Sequence, residues 1–286
     1  MGNAGAAEAA QAPRSMASER AFLGASALLF LACTARTVAW SASMSAMGAM
    51  PMPGGWTMSM AWMRMCGQTW PGVAASFLGM WVVMMATMML PSLVPVLWRY
   101  RQAVGTTGGT RLGRLTALVG VGYLFVWAVL GMATFALGAA LAALEMRLPA
   151  LARAAPVAAG LVVLSAGALQ FTAWKAHHLA CCREMPGHGR GQRGNVGAAR
   201  RNGLQFDLRF GLRFGLQLGL QLGLHCVCSC AGLMAILLVI GVMDLRAMAA
   251  VTAAITVERL APAGERAARA IGAVIIGAGM ILIALA

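Results

Sequence analysis

Residues 225–230 read HCVCSC and sit inside an otherwise apolar run from Gly211 to Met243. Three thiols and an imidazole add nothing to lipid solubility, so their chemistry is the first question. Thiolate and imidazole nitrogen are soft to borderline metal ligands, and thiolates favour Cu(I) and zinc. On a continuous helix Cys226 and Cys230 lie one turn apart on one face, whereas Cys228 points away and lies nearer His225. Two sulfurs on one side suffice for a linear Cu(I) dithiolate but not for a closed tetrahedral zinc site, which needs ligands from another segment.

A second cluster is KAHHLACCRE, residues 175–184. If the preceding helix continues, His178 and Cys182 are four residues apart, as are His177 and Cys181, which is metal-ligand spacing. Methionine forms the third group. Met80, Met84 and Met88 make one ridge of a helix, with Met85 and Met89 beside it, and eight more lie between Met44 and Met65. Thioether sulfur selects Cu(I) and needs no deprotonation. Met84, Met88, Cys226, Cys228, Cys230, His225, His178 and Cys182 are therefore the candidate ligands, with Cu(I) the expected ion and another soft metal the alternative.

These side chains need elements to hold them. The chain has 286 residues, 60% hydrophobic and 10% charged, a balance that belongs to membrane proteins. Runs near 21–40, 71–97, 115–144, 156–174, 211–243 and 267–286 are each long enough to cross about 30 Å of hydrocarbon. A weaker apolar stretch, 244–260, either crosses as well or lies along the interface. The expected fold is all-α: a polytopic integral membrane helical bundle of six or seven transmembrane helices over 21–286. Residues 1–20 are small and polar and are expected to be disordered and cytoplasmic.

The net charge of +14 sits in the loops rather than in a basic domain with aromatic residues among it, so nucleic acid is not the expected partner. It acts instead as a topology signal. Segment 99–114 carries four arginines and no acid, and the loop 175–213 carries one lysine and seven arginines against Glu184 and Asp207. The positive-inside rule places both in the cytoplasm, with the N-terminus cytoplasmic and the Met-rich loop 41–70 periplasmic or external.

Gly211, Gly215, Gly219 and Gly223 recur every fourth residue and form a groove for close approach of another helix, in this chain or in a second copy. Beside them Gln217, Gln221, His225 and Ser229 form a polar ridge, expected to face the bundle interior.

Several of these blocks resemble one family. WVVMMATMMLPS (Trp81–Ser92), KAHHLACCR, and GLHCVCSCAGLM with its GVMDLRAM and VERL tail are similar to the predicted metal-binding integral membrane proteins of bacteria. The resemblance runs in order over most of residues 70–280. The second block matches at Lys175, Leu179, Cys182 and Arg183 and the third at Gly223, Leu224, Cys226, Cys230, Leu233 and Met234, and the resemblance implies metal binding and location in a bacterial inner membrane. His178 stands where that family has a first cysteine. Cys228 and Ser229 replace a Gly-Cys pair, and His225 and Ala231 replace two aromatics.

The expected function is metal handling in the membrane: Cu(I) uptake, chaperoning or delivery. A thiol-redox protein and a non-catalytic scaffold are the alternatives. Neither a nucleotide-binding loop nor an aspartyl-phosphate domain is present, so an ATP-driven pump is not expected. No Ser/His/Asp set or paired carboxylates within the spans support hydrolysis, and no enzymatic activity is expected.

Overall fold

The computed structural model describes residues 3–46, 48, 50–52, 56–58, 62–64, 67–104, 109–183 and 208–285. Its elements are α1 (Asn3–Ala46), a two-residue antiparallel pairing of β1 (Met50–Pro51) with β2 (Thr57–Met58), α2 (Trp70–Val104), α3 (Gly109–Arg147), α4 (Pro149–Leu169), α5 (Ala173–Arg183), α6 (Leu208–Ile240), α7 (Leu245–Leu260) and α8 (Gly264–Leu285). Among the described residues six helices are long and apolar enough to cross a membrane: α1, α2, α3, α4, α6 and α8. The sixteen-residue α7 is not one of them. The protein is thus an all-α polytopic bundle.

Two features differ from expectation. The N-terminal residues, read as irregular, are helical from Asn3 and continuous with the apolar part of α1. Six alanines between Ala4 and Ala12 explain this, since alanine has the strongest intrinsic helix preference. The fourth apolar run also does not continue into KAHHLACCR. α4 ends at Leu169, and after a turn at 170–172 the chain restarts as α5. The Thr172 hydroxyl accepts the Lys175 backbone N–H at 3.3 Å, an N-cap that fixes the restart.

Helices α3 and α6 run parallel and interlock through glycine. A Cβ on Gly122 would lie 2.7 Å from the Leu216 carbonyl oxygen, and one on Gly223 would lie 2.9 Å from Val126 Cγ2. The small-residue groove of α6 is thus filled within the chain by α3 at Gly215, Gly219 and Gly223. It is not left open for a second copy there, so self-association through these glycines is not supported. A second glycine seam joins antiparallel α4 and α8, where Gly167 packs against Gly272.

α2 runs antiparallel to α3. Trp81 Nε1 donates to the Trp127 carbonyl at 2.8 Å, and the Trp81 ring lies on Gly131, where any Cβ would strike it. Further along, Arg101 donates to Thr116 and Ser18. At the opposite end of the bundle the Met-rich segment folds down. Trp56 Nε1 donates to the Ala152 carbonyl at 2.8 Å, and Met52 is buried against Ala142 and Ala152. This part of the loop is a packed cap, not a free tail, with Met50 and Met63 lodged beside it. The side chains of Met47, Met58, Met60, Met65 and Cys66 lie outside what the structure describes.

The turn between α6 and α7 uses Gly241 at φ +137°, a conformation closed to side chains with a Cβ. Asp244 then caps α7 by accepting the Arg246 and Ala247 amides at 2.8 and 2.9 Å. α7 folds back along α6 and returns Glu258 and Arg259 to the level of Ser229 and Cys230.

Candidate metal centre

Five elements, α2, α3, α5, α6 and α7, meet around the cysteine face of α6. Cys226 and Cys230 are sealed in the core with Met84, Met85, Met88 and Met89, together with Tyr123 and Trp127. The Cys226 thiol donates to the Met89 thioether at 3.7 Å, and its sulfur lies 2.8 Å from the Tyr123 hydroxyl. Cys230 is held from the other side. Arg259 Nη2 donates to Cys230 Sγ at 3.3 Å and to Ser229 Oγ at 3.1 Å, while Nη1 donates to Ser92 Oγ at 3.2 Å.

α5 brings a further layer. Lys175 Nζ pairs with Glu258 Oε2 at 2.7 Å and also donates to the Ser229 carbonyl. Both partners of this ion pair are almost fully buried. Cys182 is buried beside Ser229, their side-chain heteroatoms 3.6 Å apart. Burial raises the Cys182 thiol pKa above the ordinary value. Arg183 closes the lower edge by donating to the Ala261 and Pro262 carbonyls at 2.6 and 3.1 Å.

The structure sorts the candidate ligands. Cys226 and Cys230 share the buried face, as helical spacing predicts. Cys228 is half-buried and takes part in none of the contacts of this cluster. Met84 and Met88 are completely buried, yet the methionine that touches Cys226 is Met89, one helical step from the ridge read in the sequence. His178 and Cys182 make different contacts. Cys182 turns onto Ser229, whereas His178 Nδ1 lies 3.1 Å from His225 Nδ1 across α5 and α6. His177 lies 3.8 Å from Cys181 on the exposed side. Burial, with His225 and His177 close by, lowers the His178 pKa below the usual imidazole range and favours its neutral, ligand-competent form.

The polar ridge also divides. Gln217 and Gln221 are exposed on the outside of the bundle, while His225 is half-buried and Ser229 fully buried. A fourfold repeat drifts about 40° per step around a helix of 3.6 residues per turn, and that drift carries the ridge inward only at its last members.

Tyr123, Ser92, Glu258 and Arg259 were not read as functional from the sequence. The signal for the last two was visible: adjacent charges in an apolar stretch, which at membrane depth mark a site by default. Among the described residues no three His, Cys, Asp or Glu side chains gather as a group that could hold a metal ion. The sulfur set that does gather is mixed, thiol with thioether, and thioether suits Cu(I) where it would not suit zinc.

A family model described as a copper chaperone, PpoB2, matches residues 78–282, well over half of the chain. The chain belongs to this copper chaperone family. No curated protein and no solved structure matches it. The PpoB2 match covers Trp81, Met89, Tyr123, Lys175, Cys182, Cys226, Cys230, Glu258 and Arg259. The Met-rich segment 41–70 lies outside it. The metal association implied by the resemblance is thus met at the level of a copper-related family.

Proposed function

We propose that this chain is a membrane-embedded Cu(I) chaperone that carries its cargo on Cys226 and Cys230, with Met89 as a neutral third sulfur. The observation that carries this reading is the contact of Cys226 with Met89 inside a sealed core. In a three-coordinate site with metal–sulfur bonds of roughly 2.3 Å the sulfurs stand about 4 Å apart. The Cys226–Met89 separation of 3.7 Å opens to that by a rotamer adjustment, which unbranched methionine accommodates readily. Tyr123 fixes the Cys226 rotamer and donates to its sulfur once the thiol proton has left.

Two routes to the centre suit this cargo. The methionines of the folded cap, Met50, Met52 and Met63, are soft groups at one end. The His178–His225 pair is a borderline-soft site at the other. The basic segment 99–114 and the arginines of 175–213 support an inner-membrane protein with a cytoplasmic N-terminus. The cap is then external and the histidines lie toward the cytoplasm.

The test is anaerobic Cu(I) titration of detergent-purified protein against a colorimetric Cu(I) chelator. Wild type is expected to retain one Cu(I) per chain in competition. Cys228→Ser is expected to behave as wild type, because Cys228 stands off the cluster. Cys226→Ser with Cys230→Ser is expected to lose the ion. Equal retention by the double variant would contradict the reading and leave the scaffold alternative. No Cu(I) retained by the wild type would contradict it as well and direct attention to thiol redox.

A further inference from the structure

The ionic groups around the two cysteines do not balance. Lys175 and Glu258 are buried as a pair, and Arg259 stands beside them with its guanidinium Nε sealed from solvent. Two cations, Lys175 and Arg259, face one carboxylate within the cluster, with Arg183 half-buried at the edge where it reaches solvent, so the sealed cluster carries one uncompensated positive charge. Arg259 spends its hydrogen bonds on neutral groups, Ser92, Ser229 and the Cys230 sulfur. The Arg259 Nε and Glu258 Oε1 have no hydrogen-bond partner among the described residues. An unpaired buried charge is costly, and in a membrane bundle such charges pair with one another or mark an ion path. Of the groups Arg259 touches, the Cys230 sulfur is the one that can become an anion, by losing its proton to a metal ion.

We propose that Arg259 is the counter-ion of an anionic bis-thiolate complex, so that this site selects monovalent soft cations by charge. The inference rests on Cys226 and Cys230 being the cargo ligands. Binding of Cu(I) forms two Cu–S bonds, releases both thiol protons to water and leaves the oxidation state unchanged. One positive ion on two thiolates has a net charge of minus one. That cancels the excess left by Lys175, Glu258 and Arg259. A divalent ion such as Zn(II) or Cd(II) on the same two thiolates is neutral and leaves the excess in place. Met89, being uncharged, can complete the first without altering the count. The metal itself creates the thiolates, as soft ions do on binding thiols.

The experiment measures Ag(I) and Cd(II) binding to full-length protein in detergent, in the wild type, Arg259→Gln and Arg259→Lys. Ag(I) stands in for Cu(I) as a redox-inert monovalent ion. The wild type is expected to prefer Ag(I). Arg259→Gln is expected to lower the Ag(I):Cd(II) affinity ratio about thirtyfold or more, the low end of what loss of a buried charge partner costs. Arg259→Lys, which keeps the charge but not the planar fork, is expected to recover most of that ratio. An unchanged ratio in Arg259→Gln would overturn the proposal, and so would a ratio in Arg259→Lys as low as in Arg259→Gln. Where Arg259→Gln does not yield monodisperse protein, Glu258→Gln decides, since it raises the excess charge and should move the ratio further toward Ag(I). A shift toward Cd(II) there would overturn it as well. A wild type that binds no Ag(I) would instead remove the cargo reading on which the inference rests.

Discussion

Gly219→Ala is expected to destabilise the bundle by about 2 kcal/mol or more, at the upper part of the range for overpacked cores. The added methyl would point into the Val119 carbonyl group and lie 3.1 Å from Gly122 Cα. Both are backbone, so no rotamer change can relieve the overlap. α3 and α6 must separate. Because α3 carries Tyr123 and α6 carries Cys226, the 2.8 Å contact between them opens in the same movement. Gly219→Ala should therefore lower both the melting temperature in detergent and Cu(I) retention. Gly120→Ala, on the same pair of helices, is the control. A Cβ there meets nothing within 4 Å, so the change should be neutral or add about 0.5–1 kcal/mol through helix propensity. Equal effects of the two substitutions would show that the α3–α6 seam is not the close contact described.

Lys175→Met alone and Glu258→Met alone are each expected to cost about 3–5 kcal/mol, as for a buried pair broken on one side. Each removes the hydrogen-bonded partner of a buried ion. The double variant is expected to be far milder than the sum, because hydrophobic replacement of a whole buried ion pair is often neutral. Thermal unfolding of the four proteins gives the coupling directly. Additive losses would mean that Lys175 and Glu258 do not meet as the 2.7 Å pair. Glu258→Met should be the more damaging, because it leaves Lys175 and Arg259 as two buried cations without a carboxylate, whereas Lys175→Met leaves Arg259 beside Glu258 and loses only the contact with the Ser229 carbonyl.

Much of the architecture was legible because lipid imposes strong rules. Apolar run length marked the crossing helices, and fourfold glycine spacing marked the close face of α6. Helical geometry alone separated Cys226 and Cys230 from Cys228. The partners of these residues were not legible. Hydropathy does not set the rotation or depth of α2 against α6, so which of the buried methionines accepts from Cys226, here Met89, is not readable from it. Lys175, Glu258 and Arg259 come together from positions 175 and 258–259 only because α5 breaks from α4 at Thr172 and α7 folds back on α6. Neither event has a strong local signature: Thr172 is an ordinary capping residue, and α7 read as a weak apolar stretch. His178 followed the same break, which turned an expected pairing with Cys182 into a contact with His225.

The most direct test is copper X-ray absorption on anaerobically loaded, detergent-purified protein. The account predicts a Cu(I) edge and a first shell of sulfur alone, two or three neighbours at about 2.3 Å, the usual metal–thiolate distance, with the sulfur signal lost in Cys226→Ser with Cys230→Ser. A first shell dominated by nitrogen or oxygen, or sulfur ligation that survives the double substitution, would contradict it and move the cargo site to His178 and His225.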